Sequence, residues 1–519
     1  MILLRVIFPL LYVSAADVCP RPDPGGTVTT PPEVTAINGR LRAALSFRSQ
    51  VDPYGITRYC YIDRNNTEAP TLRVKPGDEV ILDLKNDLEN ELTSEHRHAA
   101  SACSAGAMTA LSTNLHFHGL TIPPVCHQDD VLHTSIQPSE PAFQYRFRIP
   151  ADQPPGLYWY HPHPHGYSER QVLGGASGAL IVEGIATVKP QVADLPERLL
   201  ILRDQPILGP RDQDDRTGKD ISLNFVPVMY PLYMPAVMKV KPNRPEFWRV
   251  LNASADTYFD LQVITVEHGH RVPQNLQLIA MDGTPAADPV SGAVRTAILV
   301  SPGARAEFIV TTAPSGAFSQ IVSRKYDTGP DGAANADRVL ANIISDRNAS
   351  AESPPRPPTA VWSFTDLRNL RPVRTRKLYF SEDREDLRTP GKSPKYFVTL
   401  EGNTPAIFDM SFKKPDITVR QGTIEDWIVE NRAREAHVFH IHQLHFQLLE
   451  RAGVKAGEAM LRDTIDLPYW DGKSAQYPSV KLRMDFRSPE IVGKFLFHCH
   501  ILEHEDAGMM GSVEVVKGR

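Results

Sequence analysis

The sequence predicts an all-β protein built as three consecutive β-sandwich domains, and three observations predict it. A short frame recurs three times, as VKPGDEVILDLKN from Val74 to Asn86, VKPNRPEFWRVLN from Val240 to Asn252 and VRQGTIEDWIVEN from Val419 to Asn431. Short alternating runs, rich in β-branched and aromatic residues, stand between Gly/Pro turns, and long helical periods are few. The 45 prolines in 519 residues exceed the usual share of about 5%, which favours strands and loops over helix bundles.

Each copy of the frame reads as a short strand, a tight turn and a second strand. The copies lie about 170 residues apart, one domain length. The chain is also too long for one ordinary core. The expected domains are residues 20–185, 194–345 and 359–519, joined by the looser stretches 186–196 (ATVKPQVADLP) and 345–359 (SDRNASAESPPRPPT). An adhesin or receptor made of plain sandwiches would look alike at this level, so fold alone decides nothing about function.

Ahead of the first domain, residues 1–15 (MILLRVIFPLLYVSA) form an apolar stretch closing on small residues, which reads as a secretory signal peptide. The expected destination is therefore secreted or periplasmic. Four of the five cysteines (Cys19, Cys60, Cys103, Cys126) fall in the first quarter and can form up to two disulfides, in any of three connectivities. Cys499 stands alone. The formal charge of −5 gives no basic footprint for nucleic acid. No apolar run reaches the ~18 to 20 residues of a membrane span.

Ten of the 18 histidines gather in four clusters: His116 with His118, His161 with His163, His437 with His440 and His442, and His498 and His500 with His504. On a strand, residues i and i+2 share a face roughly 6.6 to 7 Å apart, so each His-x-His offers two imidazoles to one polynuclear metal site. In His498-Cys499-His500 the cysteine points the other way, and one strand can serve two metal centres. Cys499, His504 and Met509, with His437 from a neighbouring strand, supply two imidazoles, a thiolate and a weak thioether, the ligands of a blue-copper site. The other eight (His116, His118, His161, His163, His440, His442, His498 and His500) suffice for three further coppers. They come from both ends of the chain, which places the cluster where the first and third domains meet and leaves the second, with His268 and His270, as a spacer.

At these residues the sequence resembles the multicopper oxidases, the family of laccases, bilirubin oxidases and bacterial cuprous oxidases. The motifs HxH, HxH, HxxHxH and HCHxxxHxxxxM match in order and spacing, and the stretches HPHPHG, RQVLGGASGALIVEG and HCHILEHEDAGMM resemble the bacterial members. The resemblance implies a cupredoxin-like Greek-key sandwich in each domain and four copper ions. His437, Cys499, His504 and Met509 would hold the type 1 copper, and His116 and His440 the type 2 copper. His118, His161, His163, His442, His498 and His500 would hold the type 3 pair. One departure is His165, which continues the alternation of His161 and His163; the Trp159-Tyr160 lead-in favours the first pair.

The activity so implied is one-electron oxidation of a donor, coupled to reduction of dioxygen to water. The donor is expected to be a phenol or aromatic amine, arriving at the exposed edge of His437 or His504. Glu505 matches the proton-supplying acid of the bacterial members, and Asp129 the family's other acid, with Asp130 its one-residue alternative. A metal oxidase acting on Cu(I) or Fe(II) is the second reading; Met229, Met234 and Met238 are too few for a methionine-rich insert. A non-enzymatic cupredoxin scaffold is the third, set against twelve ligands all in place.

Overall fold

A computed structural model describes residues 18–519 except 53–54, 89–101, 104–107, 139, 207–218, 230–231, 268, 288–293, 350–361, 385–393, 410–411 and 519. The signal-peptide stretch 1–15, His96, His98, His268 and most of the link 345–359 lie outside the described residues.

The repeated frame occupies the same structural position three times. The second strand of each copy (Glu79–Asn86, Pro245–Asn252, Thr423–Asn431) is flanked by a parallel partner on one side and an antiparallel one on the other. The first strand of each copy pairs in parallel with the last strand of its own domain: Thr71–Val74 with Gly178–Val182, Ala236–Val240 with Arg338–Ser345, and Ile417–Arg420 with Met510–Val516. The asparagine that ends each frame repeats its job as well. Asn86, Asn252 and Asn431 each donate through Nδ2 to one carbonyl of the following loop (Leu111, Thr257, Glu435) and one farther along the chain (Ile136, Val300, Pro468), and accept through Oδ1 from the amide two residues on. A side-chain amide that bonds its own loop is the Asx device that turns a chain out of a strand.

Each frame thus bridges two facing sheets, and three sandwiches follow. Among the described residues they pair sheets of five and four, eight and six, and seven and five strands. Their cores centre on Phe47, Tyr61 and Phe117, on Trp248, Phe259 and Phe308, and on Trp427, Phe439 and Phe497. This is a cupredoxin-like, all-β architecture.

The four early cysteines pair as Cys19–Cys60 and Cys103–Cys126, leaving Cys499 free and buried. The stretch 186–196 departs from the loose link expected of it. It turns through a short helix that starts one residue earlier, Ile185–Val188, and a 3-10 turn, Pro190–Val192, and its Val192 is buried with the preceding Ile185 against Phe247 and Ile279. Pro190 marks the start of the 3-10 turn and Pro196 leads into the strand Glu197–Pro206, so neither marks slack chain. Met238 is a core residue of the second domain, whereas Met234 is half exposed.

Candidate metal centre

The site grows from two adjacent strands of the third domain. His437–Ile441 pairs antiparallel with Gly493–Cys499, setting His440 opposite His498 and Phe439 opposite Cys499. Alternation then sends Cys499 into the apolar core of its domain, beside Phe439 and Met509, and His498 toward the first domain. The Sγ of Cys499 lies 3.5 Å from His437 Nδ1 and 3.7 Å from His504 Nδ1, and the two nitrogens are 3.1 Å apart. Met509 is fully buried, and its carbonyl accepts from the Cys499 amide at 3.1 Å. Burial pushes the Cys499 thiol well up from its usual range. A thiolate here needs a cation in the space between the three atoms.

Neither imidazole edge is exposed, contrary to the sequence expectation: His437 and His504 are 0% and 1% accessible. Glu382 Oε1 stands 3.1 Å from His437 Nε2, and Glu435 Oε1 stands 3.5 Å from His504 Nε2. Arg384 ties the two carboxylates together, and Tyr396 stacks on His504 at 4.1 Å. Burial works to raise Glu382, but His437 and Arg384 outweigh it and hold the group at about 2. Glu435 is pushed up by burial to about 7.

The eight other imidazoles meet between the first and third domains. The strand His116–His118 pairs with Gly156–His161, bringing His116 opposite His161, and Asn114 holds the His163 backbone through 2.7 and 3.2 Å bonds. Rings from the two domains interleave, His116 on His442 at 3.8 Å and His118 on His440 at 3.9 Å. His163, His442 and His498 gather as one trio, with His163 Nε2 and His442 Nε2 3.4 and 3.1 Å from His498 Nε2. The His500 ring lies 5.0 and 5.7 Å from those of His118 and His161.

The donor chemistry fits metal. His116 Nδ1 donates to Asp129, His118 Nε2 to Asp463, His161 Nδ1 to the Pro162 carbonyl and His440 Nδ1 to the Asp463 carbonyl. The opposite nitrogens (His116 Nε2, His118 Nδ1, His161 Nε2, His440 Nε2) are buried without a partner among the described residues, as are both nitrogens of His500. Burial first, then the neighbouring rings, hold His118, His161, His163, His440 and His442 well below the usual imidazole range. Neutral imidazoles with inward lone pairs are the form that binds a metal ion.

Both predicted acids touch this cluster. Glu505, on the helix Leu502–Asp506, is fully buried, with Oε2 3.2 Å from His498 Nδ1 and Oε1 3.5 Å from His163 Nε2. Burial, then Asp506, pushes its carboxyl well above the usual range. Asp129 is buried and accepts from His116 Nδ1, the Phe117 amide and Gln443 Nε2. Its one-residue alternative, Asp130, pairs with His133 instead.

Two sequence models of the multicopper oxidase family match residues 108–186 and 388–519, the two regions that carry these histidines. The chain therefore carries a multicopper oxidase domain match at each of its two histidine-bearing regions. Copper is accordingly the cofactor of this oxidase. It is 24% identical to the multicopper oxidase mco of Staphylococcus haemolyticus over 87% of this chain and 82% of that one. It is 22% identical to the laccase of Bacillus subtilis over 86% and 88%. In fold it resembles the Campylobacter jejuni multicopper oxidase described as a metallo-oxidase, with TM-score 0.69, 24% identity and 96% of both chains covered. It also resembles the McoA 2F4 variant of Aquifex aeolicus, with TM-score 0.70, 20% identity and coverage of 95% and 99%.

The oxidase uses residues that its sequence motifs do not mark. Asp463 and Thr464 back His118 and His440, while Arg305 and Gly303 reach the cluster from the second domain. That domain is more than a spacer: its turn at Asp282-Gly283 packs on Tyr158 of the first domain and bonds Arg462 of the third. Glu382 and Glu435 were also unmarked. Of the remaining histidines, His165 packs on His163 and Phe412, His445 bonds the Asp282 carbonyl, and His127 and His270 are exposed.

Proposed function

We propose that this multicopper oxidase holds four coppers, one at His437, Cys499, His504 and Met509 and three at the eight clustered histidines. His116 and His440 take the type 2 ion, and His118, His161, His163, His442, His498 and His500 the type 3 pair. The observation that carries this is the run His498-Cys499-His500 where the strand Gly493–Cys499 ends, whose thiol faces one site while its imidazoles face the other. When bound, copper supplies one-electron acceptance on the thiolate side and four-electron reduction of dioxygen to water on the imidazole side.

The chain's own part is positioning and proton supply. The backbone from Cys499 to its two neighbours is the shortest covalent link between the sites. Asp129 holds the proton on His116 Nδ1, so that Nε2 faces inward. Glu505 keeps a proton on its carboxyl beside His163 and His498, where reduction of oxygen consumes protons. The packed rings and the apolar strand residues beneath them exclude bulk water.

A phenol or aromatic amine fits the cavity of about 330 Å³ that reaches His504 between the second and third domains, lined by Tyr258, Asn335, Arg338, Glu435 and Glu503. One observation favours a second reading, a metal-ion donor: carboxylates of Glu382 and Glu435 face both imidazole edges. Two disulfides support a secreted or periplasmic setting.

Copper analysis and oxygen uptake test the proposal. Four coppers per chain, an intense blue thiolate absorption abolished by Cys499→Ser, and oxygen uptake with a phenol are the expected results. Persistence of the blue colour in Cys499→Ser defeats the assignment.

A further inference from the structure

We infer that Arg305, a residue of the second domain, is a positioning residue for the copper cluster: it fixes Asp463, and through Asp463 the imidazoles of His118 and His440. The inference rests on the proposed copper assignment and extends it to a domain that contributes no ligand.

Arg305 and Asp463 are both fully buried. The guanidinium forks onto the carboxylate, Nη1 to Oδ1 at 2.8 Å and Nη2 to Oδ2 at 2.6 Å. Such a two-point pair sets orientation as well as charge, which a lysine ammonium cannot do. Two of the three remaining donors fix the arginine itself: Nε bonds the Leu157 carbonyl at 3.1 Å and Nη1 the Gly303 carbonyl at 3.1 Å. Gly119 closes the space, since a Cβ there would lie 2.5 Å from Nη2 and 2.6 Å from Asp463 Oδ2. Leu157 and Gly119 belong to the first domain, Gly303 to the second and Asp463 to the third, so one side chain registers all three.

Asp463 passes that registration to the cluster at two points. Its Oδ1 takes the proton of His118 Nε2 at 3.2 Å, and its backbone carbonyl takes that of His440 Nδ1 at 2.8 Å. Thr464 Oγ1 donates to the same Oδ1 at 2.8 Å. A carboxylate only accepts, so it fixes the tautomer of His118 and leaves Nδ1 as its inward lone pair. The rings of His118 and His440 stack 3.9 Å apart and 11° from parallel, so a shift of Asp463 moves both. Acceptors that orient a metal-ligating imidazole typically change metal affinity 10–100-fold when removed.

A domain clamp alone would predict lost stability and nothing else. Arg462, whose Nε donates to Asp282 Oδ2 at 2.8 Å, is the control, because it also joins the second and third domains. The full-length, copper-loaded protein would be compared with Arg305→Lys, Arg305→Leu, Asp463→Asn and Arg462→Met. Copper per chain, the type 2 electron paramagnetic resonance signal, the blue absorption and the thermal midpoint would be measured. Expected for both Arg305 variants is an intact blue absorption with roughly 10–100-fold weaker copper binding at the cluster and a changed type 2 signal. Asp463→Asn sets an amide NH2 against the guanidinium and should reproduce Arg305→Lys. Arg462→Met should lose stability alone.

Native copper content and an unchanged type 2 signal in Arg305→Lys and Asp463→Asn overturn the inference, as does an equal perturbation in Arg462→Met. Should Arg305→Leu not fold, the two milder variants decide. Wild-type protein without cluster copper would instead defeat the assignment beneath, so the two failures are told apart.

Discussion

Gly303 backs directly onto His500: a Cβ at position 303 would lie 2.8 Å from Nε2 and 2.9 Å from two ring carbons. The backbone there has φ +82°, so the position requires glycine on two counts, conformation and space. Gly303→Ala should cost about 1–2 kcal/mol from the backbone alone and push the His500 ring. The expected result is a lower thermal midpoint with less cluster copper and an unchanged blue absorption. Full copper occupancy would show that the loop yields instead of the ring.

Glu505→Gln keeps the shape of the buried side chain and removes its acid. Since Glu505 lies beside His163 and His498, oxygen uptake should slow by roughly 10²–10⁴-fold. Bleaching of the blue colour by donor under anaerobic conditions should keep its wild-type rate. A variant that bleaches slowly would place the defect on the donor side and remove Glu505 from proton supply.

Glu382→Gln and Glu435→Gln separate the two donor classes. Each leaves the imidazole edge covered but uncharged on the carboxylate side. Steady-state oxygen uptake with Fe(II) or Cu(I) should fall roughly tenfold or more in kcat/KM, about 1.4 kcal/mol of lost attraction. Uptake with a neutral phenol should change little. Equal losses for both classes would mean that the carboxylates act on the site itself rather than on cationic donors.

Glu197→Gln should destabilise the join of the first and second domains. Glu197 is buried between Arg73 and Arg249, with Arg249 in turn paired to Glu307. Burial works to raise its carboxyl, but the two arginines outweigh that and hold it below the usual 4.5. Its stabilisation is therefore present above the unfolded-state value and lost as pH falls through the folded one. At pH 7 the variant should lose about 3–5 kcal/mol, as for other broken buried pairs. Near pH 3 the gap to wild type should narrow. Denaturant titrations at the two pH values measure it, and a gap that widens in acid would reverse the assigned sign.

The sequence was most legible where chemistry and spacing coincide. The His-x-His pairs share a strand face, so their convergence follows from alternation, and the repeated frame foretells three sandwiches because each copy ends in the same asparagine turn. What escaped were contacts between residues far apart in the chain. Arg305 meets Asp463 across 158 residues, and His118 meets Asp463 across 345, with no local pattern to announce either. The covering of His437 and His504 was missed for the same reason, since Glu382 lies on a strand of the opposite sheet. In the stretch 186–196 composition records the prolines but not the burial of Val192 with the preceding Ile185.

The division of the imidazoles between residues 116–163 and 440–500 sets an order on how the molecule can be made. Neither end presents more than four of the eight, so a chain still emerging, or one cut short, has no complete cluster to offer. The thiol site, by contrast, lies wholly within residues 437–509 and closes as soon as that sandwich does. On the proposed copper assignment, a preparation's blue colour would report the last domain alone, while oxygen consumption would report that both ends of the polypeptide have found each other.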